Sequence, residues 1–177
     1  IRTRYNVWKQ LQRKYGMGRF KDVVGHKDII RYIQNAVTED KVSHAYILNG
    51  ERGAGKKLLA ALFAETLLCE KKGPEPCGKC HSCIQAESGN HPDIIRVTHE
   101  KPGSISVDDI REQVNQTVAV KPYQGAYKVY IIPEADLMTV QAQNALLKTI
   151  EEPPEYVVIL LLTENATSSF PPSIPAA

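Results

Sequence analysis

Apolar residues along the chain fall into short runs, separated by stretches in which apolar positions recur every three or four residues. Ala45-Tyr46-Ile47-Leu48, Ile94-Ile95-Arg96-Val97, Lys128 to Ile132 and Val157 to Thr163 have the length and side-chain types of buried strands. Between them, Ile29, Ile30, Ile33 and Val37 lie on one side of a helix over 28–37, and Leu58, Leu59, Leu62, Phe63 and Leu67 share a helix that follows the first strand. Ser106 can cap a helix over about 107–118. A last helix, over roughly 139–152, turns Leu146, Leu147 and Ile150 inward and stops at Pro153-Pro154, because proline has no amide hydrogen to offer a helix interior. Strands alternating with helices predict an α/β domain with a largely parallel sheet.

Two segments break the pattern. Residues 69–91 are rich in Gly, Pro, Lys and Cys with few large apolar side chains, and read as an insertion held by something other than a core. The tail from Ser168, with Pro171, Pro172 and Pro175, reads as loop.

The composition, 42% hydrophobic and 24% charged over 177 residues, is that of one soluble domain. The longest apolar run, Val157 to Leu162, falls far short of the roughly 18 residues that cross a bilayer, so no membrane association and a cytoplasmic location are expected. Charge is uneven: of 22 Lys and Arg against 20 Asp and Glu, Arg2, Arg4, Lys9, Arg13 and Lys14 sit in an acid-free stretch ahead of Met17, leaving 17 bases, a net −3, over the rest. Residues 1–18 are therefore read as a basic leader or N-terminal extension. It has the charge of a mitochondrial presequence but only one Thr and no Ser. The body itself lacks the cationic surplus of a broad phosphate-binding face.

Gly50-Glu51-Arg52-Gly53-Ala54-Gly55-Lys56 fits the phosphate-loop pattern G-x-x-x-x-G-K between a strand and a helix. Its glycines let backbone amides turn toward one point, the helix N-terminus adds partial positive charge, and Lys56 can reach the outer phosphates. Gly50, Gly53, Ala54, Gly55, Lys56 and Lys57 are the candidate nucleotide-binding residues, for ATP or ADP. Lys57 stands where Ser or Thr ordinarily places a hydroxyl on magnesium. The strand that should carry the metal-supporting acids ends in Pro133-Glu134-Ala135-Asp136, so Pro133 replaces one of them. With both positions altered the magnesium site is degenerate and hydrolysis should be weak. Glu134 is the one candidate base, and Asp136 reads as a cap or surface charge.

Cys69, Cys77, Cys80 and Cys83 form C-x7-C-x2-C-x2-C inside the insertion. Four thiolates complete a tetrahedral zinc shell, and each C-x2-C turn brings two sulfurs to the metal together. A closed, structural zinc site is expected. Two disulfides are the alternative, disfavoured in a reducing compartment, and a redox C-x2-C would leave two cysteines idle. His81 and His91 are expected to be solvated loop histidines.

Phe20-Lys21-Asp22-Val23-Val24-Gly25-His26, Ser43-His44-Ala45-Tyr46-Ile47-Leu48, the phosphate loop, the four cysteines and Asn144 to Pro154, in that order, resemble bacterial DNA polymerase III clamp-loader subunits over about residues 19–170. The resemblance implies an AAA+ three-layer sandwich over 19–177, a sensor-like role for Thr163, and a helical lid and collar domain outside this chain. It implies gamma/tau and delta subunits as partners, with the sliding clamp and primed DNA reached through the complex. In that family gamma/tau subunits hydrolyse ATP, whereas delta-prime has a degenerate nucleotide site and acts as a stator. Lys57 and Pro133 favour delta-prime; Arg13-Lys14-Tyr15 is placed like the gamma/tau opening. Delta-prime subunits also resemble one another in a Ser-Arg-Cys arginine finger, and Pro172-Ser173-Ile174-Pro175-Ala176-Ala177 stands where it would begin. A zinc-dependent nucleic-acid module is the remaining alternative.

Overall fold

The computed structural model describes residues 18–164, so the leader and the segment where a Ser-Arg-Cys would begin lie outside the described residues. Four strands, β1 (Ala45–Asn49), β2 (Ile94–Arg96), β3 (Lys128–Ile132) and β4 (Val157–Thr163), form one sheet in the order β1-β4-β3-β2. Every pairing is parallel: Ala45 lies opposite Ile159, Lys128 opposite Val157, and Ile94 opposite Val129. Helix α1 (Lys27–Thr38) precedes β1, and the crossovers that parallel strands need run through α2 (Lys56–Leu68) and α3 (His81–Ser88) from β1 to β2, α4 (Val107–Ile110) from β2 to β3 and α5 (Val140–Glu151) from β3 to β4.

The period of two along each strand divides the core into two layers. Tyr46, Leu48, Val129, Ile131, Val158, Leu160 and Leu162 meet Ile33 of α1 and Leu59, Leu62, Phe63 and Leu67 of α2 on one face. Ile47, Tyr130, Ile132, Val157, Ile159 and Leu161 meet Ile110 of α4 and Ala142 and Leu146 of α5 on the other. This is the three-layer arrangement that the resemblance implies. Because both faces are covered, β3 and β4 are apolar at every position except Lys128 and Thr163, as buried parallel strands must be.

Lys128 is nevertheless buried. Its ammonium donates to the carbonyls of Thr117 (2.7 Å) and Val120 (3.1 Å), satisfying the end of the segment that follows α4. Burial pushes its pKa below the usual lysine range.

Three details differ from the sequence reading. The helix after Ser106 opens on the expected cap, here a capping box with Asp109, but after Ile110 it widens into a π turn over Arg111–Asn115. Side chains pull it open: Gln113 is bound to the backbone of Thr98 at 2.9 and 2.7 Å, and Asn115 donates to the carbonyl of Ala145 at 3.1 Å. In α5, capped by Thr139, the fully inward line is Ala142, Leu146 and Thr149, whereas Leu147 is only half-buried. Residues 69–91 are not a coreless loop, since they contain α3, whose Ser82, Cys83 and Ala86 are buried. That extra layer explains why α2 is buried all round from Leu59 to Leu68, including Glu65 and Thr66.

Asp93 joins this layer to the sheet. Its carboxylate accepts the amides of Tyr123 (2.5 Å), Gln124 (2.8 Å) and Gly125 (2.9 Å), and the residue is 2% exposed. Asp93→Ala orphans three donors at once, and its expected cost is about 2 kcal/mol, read as a lower urea midpoint at unchanged slope.

Candidate functional site

At the C-terminal edge of the sheet, β1 runs into the glycine-rich loop and α2 begins. Gly53 and Gly55 have φ of 91° and 82°, a left-handed backbone that L side chains rarely adopt, and Gly55 directly precedes α2. The amide of Gly50 donates to the carbonyl of Thr163 at 3.2 Å, which fastens the loop to the end of β4. Lys56 is folded onto the loop itself, its ammonium donating to the carbonyl of Gly50 and to that of Glu51 at 2.9 Å.

Lys57 does not point to the loop's own carbonyls. Its Nζ lies 3.7 Å from Glu134 Oε1, just past β3, and His99 Nε2 lies 3.7 Å from Glu134 Oε2. Glu134 has a left-handed backbone (φ 59°, ψ 44°), a conformation that costs a side-chain-bearing residue about 1–2 kcal/mol. The candidate base is thus held between two basic side chains. His99 is absent from the sequence reading, because it comes from the loop after β2 and no short motif ties it to position 134.

Asp136, read from sequence as a cap or surface charge, accepts from the hydroxyl of Thr163 and from the amide of Glu164 at 3.0 Å. Thr163 is buried and directs its hydroxyl to this acid, while its carbonyl holds Gly50. The ends of β1, β3 and β4 are therefore linked by hydrogen bonds through Thr163, at the edge where parallel α/β sheets bind ligands.

The cysteines meet at the far end of α2. Cys69 follows the helix directly, Cys77 and Cys80 frame a turn with Gly78 at φ 68°, and Cys83 lies in the first turn of α3. All four Sγ atoms lie within 4.8 Å of one another, with Cys77 and Cys83 at 4.0 Å. A tetrahedron with bonds of about 2.3 Å places its sulfurs roughly 3.8 Å apart, and all four cysteines are free of disulfides, so the cluster can hold a metal ion. Amides face the sulfurs: Cys77 N donates to Cys69, Lys79 N and Cys80 N to Cys77, and Cys83 N to Cys80, at 3.3–3.5 Å. The amides of Lys79 and Cys80 lower the Cys77 thiol to about 6, whereas burial pushes Cys69 and Cys83 up.

His81 is exposed, as expected, but His91 is not a solvated loop residue. It is 4% exposed, its Nδ1 accepts from Asp93 N (3.1 Å), and its Nε2 faces Ser82 Oγ (2.9 Å), which donates to the carbonyl of Leu68. Burial lowers its pKa and keeps it neutral, tying α3 to α2 and to β2.

A family model described as "DNA polymerase III, delta subunit" matches residues 25–174. The chain belongs to this family. Its relatives include the tau/gamma subunit of DNA polymerase III of Haemophilus influenzae, 41% identical over 89% of this chain and 23% of that protein. The tau subunit of Bacillus subtilis is 40% identical over 88% of this chain and 27% of that protein. The delta-prime subunit of Bacillus subtilis is 38% identical over 77% and 41%. The chain thus spans less than half the length of these relatives. A DNA polymerase III gamma subunit-related protein of Thermotoga maritima has a similar structure, with a TM-score of 0.52 at 25% identity over 76% of this chain and 39% of that one. The resemblance to clamp-loader subunits read from the segments between Phe20 and Pro154 is borne out. Among the described residues no helix is long and apolar enough to cross a membrane.

Proposed function

We propose that this chain is the nucleotide-loop domain, from residue 19 onward, of a delta-prime-type clamp-loader subunit. In this reading it is a stator that assembles with gamma/tau and delta subunits to load the sliding clamp on primed DNA, and it does not hydrolyse ATP efficiently. The observation that carries the reading is the Lys57–Glu134 pair. An ammonium occupies the place of the metal-binding hydroxyl, and it engages the acid that would serve as base. Phosphoryl transfer depends on positioning and on cation-assisted charge stabilisation, and both are compromised together. Gly50, Gly53, Ala54 and Gly55 keep the loop's shape, Lys56 keeps its charge, and Thr163 braces the loop as a sensor-like residue.

Cys69, Cys77, Cys80 and Cys83 hold a structural zinc ion in this proposal. The support is the donor set, four thiolates at near-tetrahedral spacing with no open position for water.

The gamma/tau reading rests on a different observation, the 41% and 40% identity to tau/gamma and tau subunits over a longer stretch than the delta-prime match. A steady-state ATPase assay on the full-length protein separates the two. Turnover indistinguishable from a Lys56→Ala control is expected; turnover at least tenfold above that control makes the protein a gamma/tau-type ATPase.

A further inference from the structure

The phosphate loop implies a magnesium ion beside it, and the two positions that ordinarily hold one, 57 and 133, do not fit it. A magnesium site needs hard oxygen donors, ordinarily the hydroxyl after the loop lysine and an acid at the end of the inner strand. Here those places hold the Lys57 ammonium and the Pro133 ring. An ammonium has no lone pair to give and repels a divalent cation, and proline offers neither charge nor a side-chain donor.

What stands there instead is a cation supplied by the chain. Lys57 sits in the first turn of α2, where a metal would be tied to the helix, and its Nζ lies 3.7 Å from Glu134 Oε1 at the end of β3, where a metal would be tied to the strand. It bridges the same two elements. The His99 ring on the other carboxylate oxygen gives Glu134 a second partner, so the acid keeps a contact when Lys57 turns toward an incoming anion. Lys57 is 61% exposed, free to make that turn.

We infer that Lys57 takes the place of the magnesium ion, and that this loop binds the polyphosphate of a nucleoside di- or triphosphate as the metal-free anion. Lys56 and Lys57 then share its charge, with the amides of Gly53 to Gly55 at the helix N-terminus. A magnesium-loaded nucleotide is the poorer ligand, since its cation meets the Lys57 ammonium, and the nearby carboxylate, Glu134, is already engaged by Lys57 and His99. This deepens the degenerate-site reading proposed above and rests on it.

The test is calorimetric titration of the full-length protein with ADP and with ATP, in excess EDTA and in excess magnesium. The affinity in EDTA is expected to equal or exceed that in magnesium. Lys57→Thr, a change at an exposed position checked by an unaltered unfolding temperature, is expected to weaken binding in EDTA about tenfold. A wild-type affinity that falls tenfold when magnesium is removed overturns the inference, as does a Lys57→Thr protein that binds like wild type in EDTA. Absence of binding in both conditions also overturns it, yet leaves the stator reading standing; rapid turnover with magnesium sinks the stator reading instead.

Discussion

Removing the proposed zinc ion from the cysteine cluster is expected to lower the unfolding temperature of the protein by ~10–15 °C, since structural zinc contributes folding energy outright and each kcal/mol shifts the midpoint of a domain this size by a few degrees. The effect should be larger than a surface loop would suggest. Residues 69–83 carry few large apolar side chains, yet α3 covers the outer side of α2, where Leu67, Leu68, Glu65 and Thr66 are all buried. Without the metal, Ser82 still holds α3 to Leu68 and His91, but Cys77 and Cys80 keep only amide contacts to sulfur, so the turn leading into α3 loosens and part of that side of α2 meets water. Cys77→Ser is the sharper probe, because this side chain is only half-buried and its loss removes little packing. Metal content measured on reduced protein should be one zinc per chain and should fall in the variant together with the unfolding temperature. If zinc is absent from reduced protein and Cys77→Ser melts like wild type, the four-thiolate assignment is wrong.

Glu65→Gln is expected to stabilise the protein at pH 8 by about 3 kcal/mol and to do nothing at pH 4.5. Glu65 lies within α2 at 6% exposure, and burial raises its pKa to about 8, with Glu87 adding to the rise and Arg96 opposing it. The sign follows from proton counting. Below pH 4.5 the carboxyl is neutral in the folded and the unfolded chain alike, so it affects no equilibrium. Between pH 4.5 and about 8 the unfolded chain releases the proton while the folded chain keeps it, so stability falls as pH rises. The full shift corresponds to roughly 5 kcal/mol, which relaxation of the charged form reduces. Glutamine keeps the shape and removes the titration. Urea unfolding of both proteins at pH 4.5, 6.5 and 8 should therefore give a difference that widens with pH. A constant difference would mean that Glu65 is ionised in the folded protein.

Both predictions concern the layer made by α2 and α3, the part of the molecule least visible beforehand. A run from Leu58 to Leu68 reads as an amphipathic helix, but its polar members Glu65 and Thr66 are buried, because the insertion folds over them. Nothing local in His81 to Ser88 signals a helix that must pack on another, and His91 looks like a loop residue until Ser82 and Asp93 are brought to its two nitrogens. The π turn at Arg111–Asn115 was equally hidden, because it answers to Thr98 and Ala145, distant in the chain.

The local code alone determined the strands, the cap at Ser106, the glycine loop after β1 and the grouping of four cysteines. Each depends on residues within a few positions of one another, where side-chain period, missing amide hydrogens and ligand spacing act directly. Only the tertiary structure decided which distant groups meet. It set Lys57 and His99 against Glu134, tied Asp136 to Thr163, and buried Glu65, because parallel pairing gathers the ends of β1, β3 and β4 at one edge while the insertion closes over the back of α2. Charge contacts of this kind act through space, and no spacing along the chain encodes them.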